Sequence, residues 1–220
     1  MNAFSDAMVR LERISKSFGP VSANRDISLD IRSGRVKALL GENGAGKSTL
    51  MSILSGRLKP DAGRILIDGA PFSGLSTRQA IDAGIGMVYQ HFMLVDAMTV
   101  AENIYLGLGR RRILSVRQMA EHVGRLAATY SLSVDPGARI DSLSMGERQR
   151  VEMLKLLVRK SRVLIFDEPT AVLTPQETEQ LFSAMRQMAG QGKAIVFISH
   201  KLAEVMSVAD DIAMLRKGAV

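Results

Sequence analysis

Along the chain, apolar positions recur first with the period of a strand and later with that of a helix. Ile27, Leu29 and Ile31 are separated by Ser28 and Asp30, which puts the apolar residues on one face of an extended segment. GRILIDG at residues 63–69 repeats the alternation between glycines. Val9, Leu11 and Ile14 mark an earlier short segment, with Phe18-Gly19-Pro20 as a turn or strand end. Residues 36–40, 85–89, 163–166 and 194–198 are short apolar runs, the pattern of strands buried on both faces.

Helical spacing begins after Gly46 with Leu50, Ile53 and Leu54. It returns in Val151, Leu154, Leu157 and Val158, in Leu181, Met185 and Met188, and in Leu202 and Val205. Capping boxes announce several of these helices, a hydroxyl at the cap and a Glu or Gln three residues on: Thr99 with Glu102, Ser115 with Gln118, Ser144 with Glu147, and Thr174 with Glu177 behind Pro175. Apolar strands alternating with capped helices, after an alternating start, predict an α/β fold. It has a three-layer core, an N-terminal antiparallel β part and an inserted, mostly helical stretch.

At 220 residues and 46% hydrophobic, the chain has material for one large core without a staple. It has no cysteine, which excludes disulfides, thiolate nucleophiles and Cys-ligated zinc. The net charge of +7 suits anionic ligands and does not choose among nucleotides, nucleic acid and an anionic membrane face. The densest apolar run, residues 194–198, falls far short of a membrane span, and the first ten residues lack a signal-peptide core. Arg110-Arg111-Arg112 reads as a solvated basic turn in preference to a binding patch.

Two motifs carry chemistry. Gly41-Glu42-Asn43-Gly44-Ala45-Gly46-Lys47-Ser48-Thr49 satisfies the phosphate-loop pattern and lies between a predicted strand and a predicted helix. Glycines let the loop curl its N–H groups inward onto phosphate oxygens. Lys47 supplies a mobile charge, and the Ser48 hydroxyl suits Mg2+. Asp167-Glu168 ends the run at residues 163–166; in a parallel sheet that end faces the ligand. Asp167 then suits a metal's water shell and Glu168 an attacking water, the alternative being a pair of helix-capping acids.

Together with these motifs, Leu143-Ser144-Met145-Gly146-Glu147, Gln90 and His200 follow in an order that resembles the ATP-binding subunits of ABC transporters across essentially the whole chain. The resemblance implies ATP and Mg2+ as cofactors. It implies that Phe18 stacks on adenine, that Gln90 links metal and water to a helical subdomain at about residues 91–160, and that Asp167 acts on the metal through water. Glu168 is then the catalytic base and His200 the γ-phosphate sensor. Ser144 and Gly146 close over the nucleotide of an opposite ATP-binding domain.

Met145, Glu147 and Thr174 depart from the commonest family pattern. With Gln90-His91-Phe92-Met93-Leu94-Val95, they resemble the sugar and nucleoside import branch. Its members carry two ATP-binding domains in one chain, so the resemblance implies an N-terminal half, residues 1–220 being one domain cut short at its C-terminus. Implied partners are that second domain, two transmembrane permease subunits and indirectly a substrate-binding protein. The implied location is the cytoplasmic face of the plasma membrane, and no nucleic acid partner is expected. Phe92, Met93, Leu94 and Val95 serve equally as a docking groove for a permease helix or as core. Two other functions stay open: a soluble ABC ATPase acting on nucleic acid or translation, and a nucleotide-binding module without turnover.

Overall fold

In a computed structural model that describes residues 7–108 and 114–220, the two strand patterns separate into two sheets. The Arg110-Arg111-Arg112 run lies outside the described residues. Strands β1 (Ala7–Phe18), β2 (Val21–Arg32), β4 (Ala62–Ile67) and β5 (Ala70–Phe72) form an antiparallel sheet in the order β2-β1-β4-β5. β3 (Val36–Leu40), β6 (Ile85–Val88), β7 (Val163–Asp167), β8 (Ala194–Ser199) and β9 (Asp211–Met214) form a parallel sheet in the order β6-β7-β8-β3-β9. Val9, Leu11 and Ile14 belong to one strand of 12 residues. The alternation slips between Leu11 and Ile14 because the ladder shifts register at Arg13, whose φ is +50°, so that both apolar residues stay inside.

The parallel sheet divides the core by side-chain parity. Leu164, Phe166, Ile195 and Phe197 point into a cluster with α3 (Val100–Tyr105), α4 (Val116–Thr129), α5 (Met145–Val158), α6 (Pro175–Gly190) and α7 (Leu202–Val208). Their neighbours Val163, Ile165, Val196 and Ile198 point the other way, into a cluster with the antiparallel sheet, α1 (Lys47–Leu54) and α2 (Thr77–Asp82). The result is the three-layer arrangement with its antiparallel attachment. α3, α4 and α5 intervene between β6 and β7, which are sheet neighbours, so this helical stretch leaves and rejoins the sheet.

The capping boxes at Thr99, Ser115, Ser144 and Thr174 all form, each hydroxyl accepting from the N–H three residues on. A further box, Ser76 with Gln79, opens α2, which the apolar spacing did not predict. No helix among the described residues is long and apolar enough to cross a membrane.

Candidate functional site

β6, β7, β8 and β3 lie side by side and parallel, so their carboxyl ends make one edge. Register sets Leu40 opposite Ser199, Ile198 opposite Asp167, and Phe166 opposite Val88. Gln90, the Asp167-Glu168 pair, His200 and the 41–49 loop therefore emerge from four successive strands at one level, where ligands bind to such sheets.

The loop is held from two sides. From β2, the Asn24 side-chain amide donates to the Gly46 carbonyl at 3.0 Å, and the Ala23 carbonyl lies where a Cβ on Gly46 would be. From the chain's other end, Gly218 N–H donates to the Ala45 carbonyl at 3.2 Å. Gly46 caps α1 at φ +99°, a conformation only glycine adopts cheaply, and it offers no side chain to the helix's first N–H groups. Nor does α1 have an acidic residue in its first turn. Its positive end thus meets no negative side chain of its own, and an anion is favoured there. Lys47 is 5% exposed, and its ammonium donates to the carbonyls of Gly41 and Glu42 at 2.6 and 2.8 Å.

Ser48 joins the loop to the acids, its hydroxyl donating to Asp167 Oδ1 at 3.2 Å. Asp167 is 9% exposed, and burial pushes its carboxyl above the ordinary aspartate range; the Ser48 bond works against that shift and the adjacent Glu168 charge adds to it. Glu168 leaves the strand with φ +45°, a left-handed conformation costing about 1–2 kcal/mol in a residue with a Cβ. Its N–H still donates to the Ile198 carbonyl at 3.1 Å. That turn points its carboxylate at His200, Oε1 lying 3.4 Å from Nδ1.

The donor set fits a divalent cation: a hydroxyl and a largely buried carboxylate, destabilised as an anion and next to a second acid. Among the described residues no group of three or more acidic or histidine side chains is gathered for a metal. An ion such as Mg2+ typically takes one or two carboxylates and shares its remaining positions with water and substrate phosphates, and the Ser48 hydroxyl with the Asp167 carboxylate matches that donor set.

Gln90 is exposed two residues beyond β6. Phe18 is 48% exposed at the tip of the β1/β2 hairpin, paired with Val21 and with the Lys16 ammonium 5.7 Å from its ring. Ser144 and Gly146 engage neighbours away from the loop. Ser144 and Glu147 exchange hydrogen bonds at 2.9 and 3.3 Å, and a Cβ on Gly146 would run into the Glu177 carboxylate, which caps Thr174 on α6. The close approach that needs this glycine is thus made within the chain.

Residues 92–95 divide. Leu94 packs on the core, while Met93 and Val95 are 59% and 41% exposed. Their backbone is strapped down by Glu152, which accepts from Met93 N–H at 2.8 Å, and by Asn103, which accepts from Val95 N–H at 2.7 Å. Asn24, Gln149 and Glu204 also serve this edge without having been singled out in the sequence. Gln149, 2% exposed, donates to the carbonyl of Pro169, the residue after Glu168, at 3.0 Å.

Residues 24–171 match the ABC transporter family. The chain is 46% identical over 216 residues to the nucleoside import ATP-binding protein NupA of Lactococcus lactis subsp. cremoris, and 45% identical over 216 residues to the ribose import ATP-binding protein RbsA of Hahella chejuensis. Each alignment takes in 97% of this chain but 43% of the relative, so the chain spans less than half the length of these proteins. Among solved structures, the ADP conformation of MJ1267, an ATP-binding cassette of an ABC transporter, superimposes with TM-score 0.87 at 25% identity, over 97% of this chain and 89% of that one. The dimeric cassette MJ0796 superimposes with TM-score 0.85 at 24% identity, over 97% and 96%. With a matched segment that runs from the strand bracing the phosphate loop to just past the paired acids, the chain belongs to the ABC transporter family and has the fold of its ATP-binding cassettes.

Proposed function

We propose that this chain binds and hydrolyses ATP with Mg2+ and thereby drives import of a nucleoside or simple sugar. The import step runs through two permease subunits, which hold the chain at the cytoplasmic face of the membrane. The observation that carries the reading is the 3.2 Å bond between Ser48 and Asp167, which joins a phosphate-type loop to an acid pair at one sheet edge. The printed functions of NupA and RbsA support the choice of cargo, and the dimeric MJ0796 cassette supports pairing of two cassettes.

Ser48, Asp167 through water, and Gln90 would hold Mg2+, which when bound neutralises charge on the phosphoryl oxygens. The chain's own groups do the rest. N–H groups of residues 41–49 and of the start of α1 bind the phosphates, and Lys47 trades the Gly41 and Glu42 carbonyls for outer phosphate oxygens. Glu168 orients the attacking water and takes its proton, with His200 holding the carboxylate and sensing the terminal phosphate. Phe18 stacks on adenine. Ser144 and Gly146 complete the nucleotide site of a second cassette set head to tail. Exposed Met93 and Val95, on a strapped backbone, offer an apolar contact to a permease helix.

Glu168→Gln tests the assignment. It keeps MgATP binding and lowers turnover by about 10²–10⁴-fold, the usual contribution of a general base. Wild-type specific activity rises with protein concentration as cassettes pair. Unchanged turnover in the variant removes Glu168 from the chemistry.

A further inference from the structure

Glu204 lies on the first turn of α7, four residues beyond His200, with its side chain 14% exposed. Its Oε2 accepts from the Thr170 hydroxyl at 2.8 Å and the Ser199 hydroxyl at 3.0 Å, and its Oε1 from the Lys201 ammonium at 2.8 Å. The Ser199 oxygen, having donated its own proton, accepts the Lys201 backbone N–H at 3.0 Å. Thr170 follows Glu168 by two residues, and Ser199 and Lys201 flank His200. One carboxylate thus gathers the backbone on which both members of the Glu168/His200 pair are mounted.

We propose that Glu204 is a positioning residue for hydrolysis, holding the segments after β7 and β8 at the spacing that lets His200 meet Glu168. This rests on the ATPase reading above. The Glu168 backbone is fixed on one side by its N–H bond to Ile198; beyond it, the chain is held by Gln149 at the Pro169 carbonyl and by Glu204 at the Thr170 side chain, and of these two only Glu204 also reaches the segment that carries His200. His200 meets Glu168 at 3.4 Å, a long contact between partly exposed groups that does not place itself.

The site requires a carboxylate. Two buried hydroxyl donors and an ammonium converge on it, and an ionised acid accepts from all of them at both oxygens. Glutamine would offer one accepting oxygen and turn an NH2 group toward donors. Burial raises the Glu204 carboxyl, but the bonds from Lys201, Thr170 and Ser199 together outweigh it and hold the group below its ordinary value.

The test is a pair of backgrounds in the full-length protein. Glu204→Gln lowers kcat by about 10- to 100-fold, the scale of a misplacement near 1 Å, while ATP affinity and KM stay within about twofold. In a His200→Ala background the same substitution costs less in kcat than it does in wild type, because one of the two members whose spacing it sets is gone. An equal loss in both backgrounds, or a loss of ATP affinity in step with turnover, makes Glu204 a structural fastener and overturns the inference. Thermal unfolding checks that each variant is folded; should Glu204→Gln not fold, Thr170→Val and Ser199→Ala carry the same double-background comparison. NMR of the His200 ring decides independently of turnover. Its resonances shift in Glu204→Gln if Glu204 places the ring, and unchanged resonances overturn the inference. Wild-type protein that binds ATP without hydrolysing it defeats the ATPase reading alone, and those resonances then remain the criterion.

Discussion

α1 and α5 both begin with a short sequence suited to an anion, and the two beginnings are built in opposite ways. α1 starts from a glycine in a left-handed conformation, with no side-chain cap and no acid in its first turn. α5 starts from Ser144 in a closed capping box, with Glu147 returning to the Ser144 N–H. The positive end of α1 is left for a ligand, whereas that of α5 is already answered by the chain's own carboxylate. The ionisable groups follow suit. Asp167, beside α1, is destabilised as an anion by burial; Glu147 is stabilised as an anion by the Ser144 backbone and hydroxyl. One helix start is completed by what binds to it. The other is complete, and any anion arriving there meets a charge of its own sign.

The largest effect expected from this contrast falls on α1. Lys47→Ala removes an ammonium whose hydrogen bonds go to the loop carbonyls of Gly41 and Glu42, so the fold loses little and the phosphates lose a charge-assisted contact. ATP affinity falls about 100-fold by isothermal titration, with thermal stability within a few degrees of wild type. Undiminished affinity would mean that the α1 end is not the phosphate site.

Gly146→Ala acts on the other helix start through stability. Its methyl group enters the space of the Glu177 carboxylate and evicts the side chain that caps Thr174 on α6. The Thr174 hydroxyl keeps its own cap bond, so losing the Glu177 bond to the Thr174 N–H costs about 1 kcal/mol in chemical denaturation. A stability equal to wild type would show that Glu177 moves freely and that this glycine faces outward after all.

The phosphate loop and the capping boxes were legible because each is local. Glycine spacing sets a curl, and a hydroxyl three residues before a Glu or Gln closes its own ring of bonds. The alternation along β2 was legible for the same reason. β9 was not: of its four residues only Ala213 is buried, and it is a strand because β3 lies beside it. The kink at Arg13 appears in sequence only as Ile14 breaking step. Asn24 and Glu204 read as polar punctuation in a strand and as a solvated helix face. Their partners, at Gly46 and at Thr170 and Ser199, are brought to them by the sheet order. Similarly, the approach of Glu177 to Gly146 is set by α6 and leaves no mark in the sequence around the glycine.

Opposite pH dependences sharpen the comparison further. The Asp167 carboxyl lies above its unfolded value of 3.8, so the folded state holds its proton more tightly. Its contribution to stability falls as pH rises through that window and stays low above it. Asp167→Asn therefore melts at a higher temperature than wild type near neutral pH, and the gap closes below about pH 3.8. The Glu147 carboxyl lies below its unfolded value of 4.5. Its contribution is present above that pH and is lost as pH falls through the lower, folded value. Melting temperatures of Asp167→Asn and Glu147→Gln, each relative to wild type, should move in opposite directions as pH changes; parallel curves would mean that burial does not hold the Asp167 proton or that the Ser144 cap does not hold the Glu147 charge.

The smallest effect is expected from Glu147→Gln, and it bears most directly on the second helix start. Glutamine still accepts from the Ser144 N–H at that position, so the box survives and only the charge is lost. For a partly exposed group, loss of its attraction to the helix end costs about 0.5 kcal/mol or less. If a phosphate of a paired cassette comes to Ser144, removing a like charge favours that approach, and ATP-dependent pairing measured by analytical ultracentrifugation strengthens about twofold. The gain should shrink as salt is raised, since the repulsion removed is a screened one. Pairing that weakens instead would mean that the carboxylate, by fixing the Ser144 cap, helps to shape the surface that meets the phosphate.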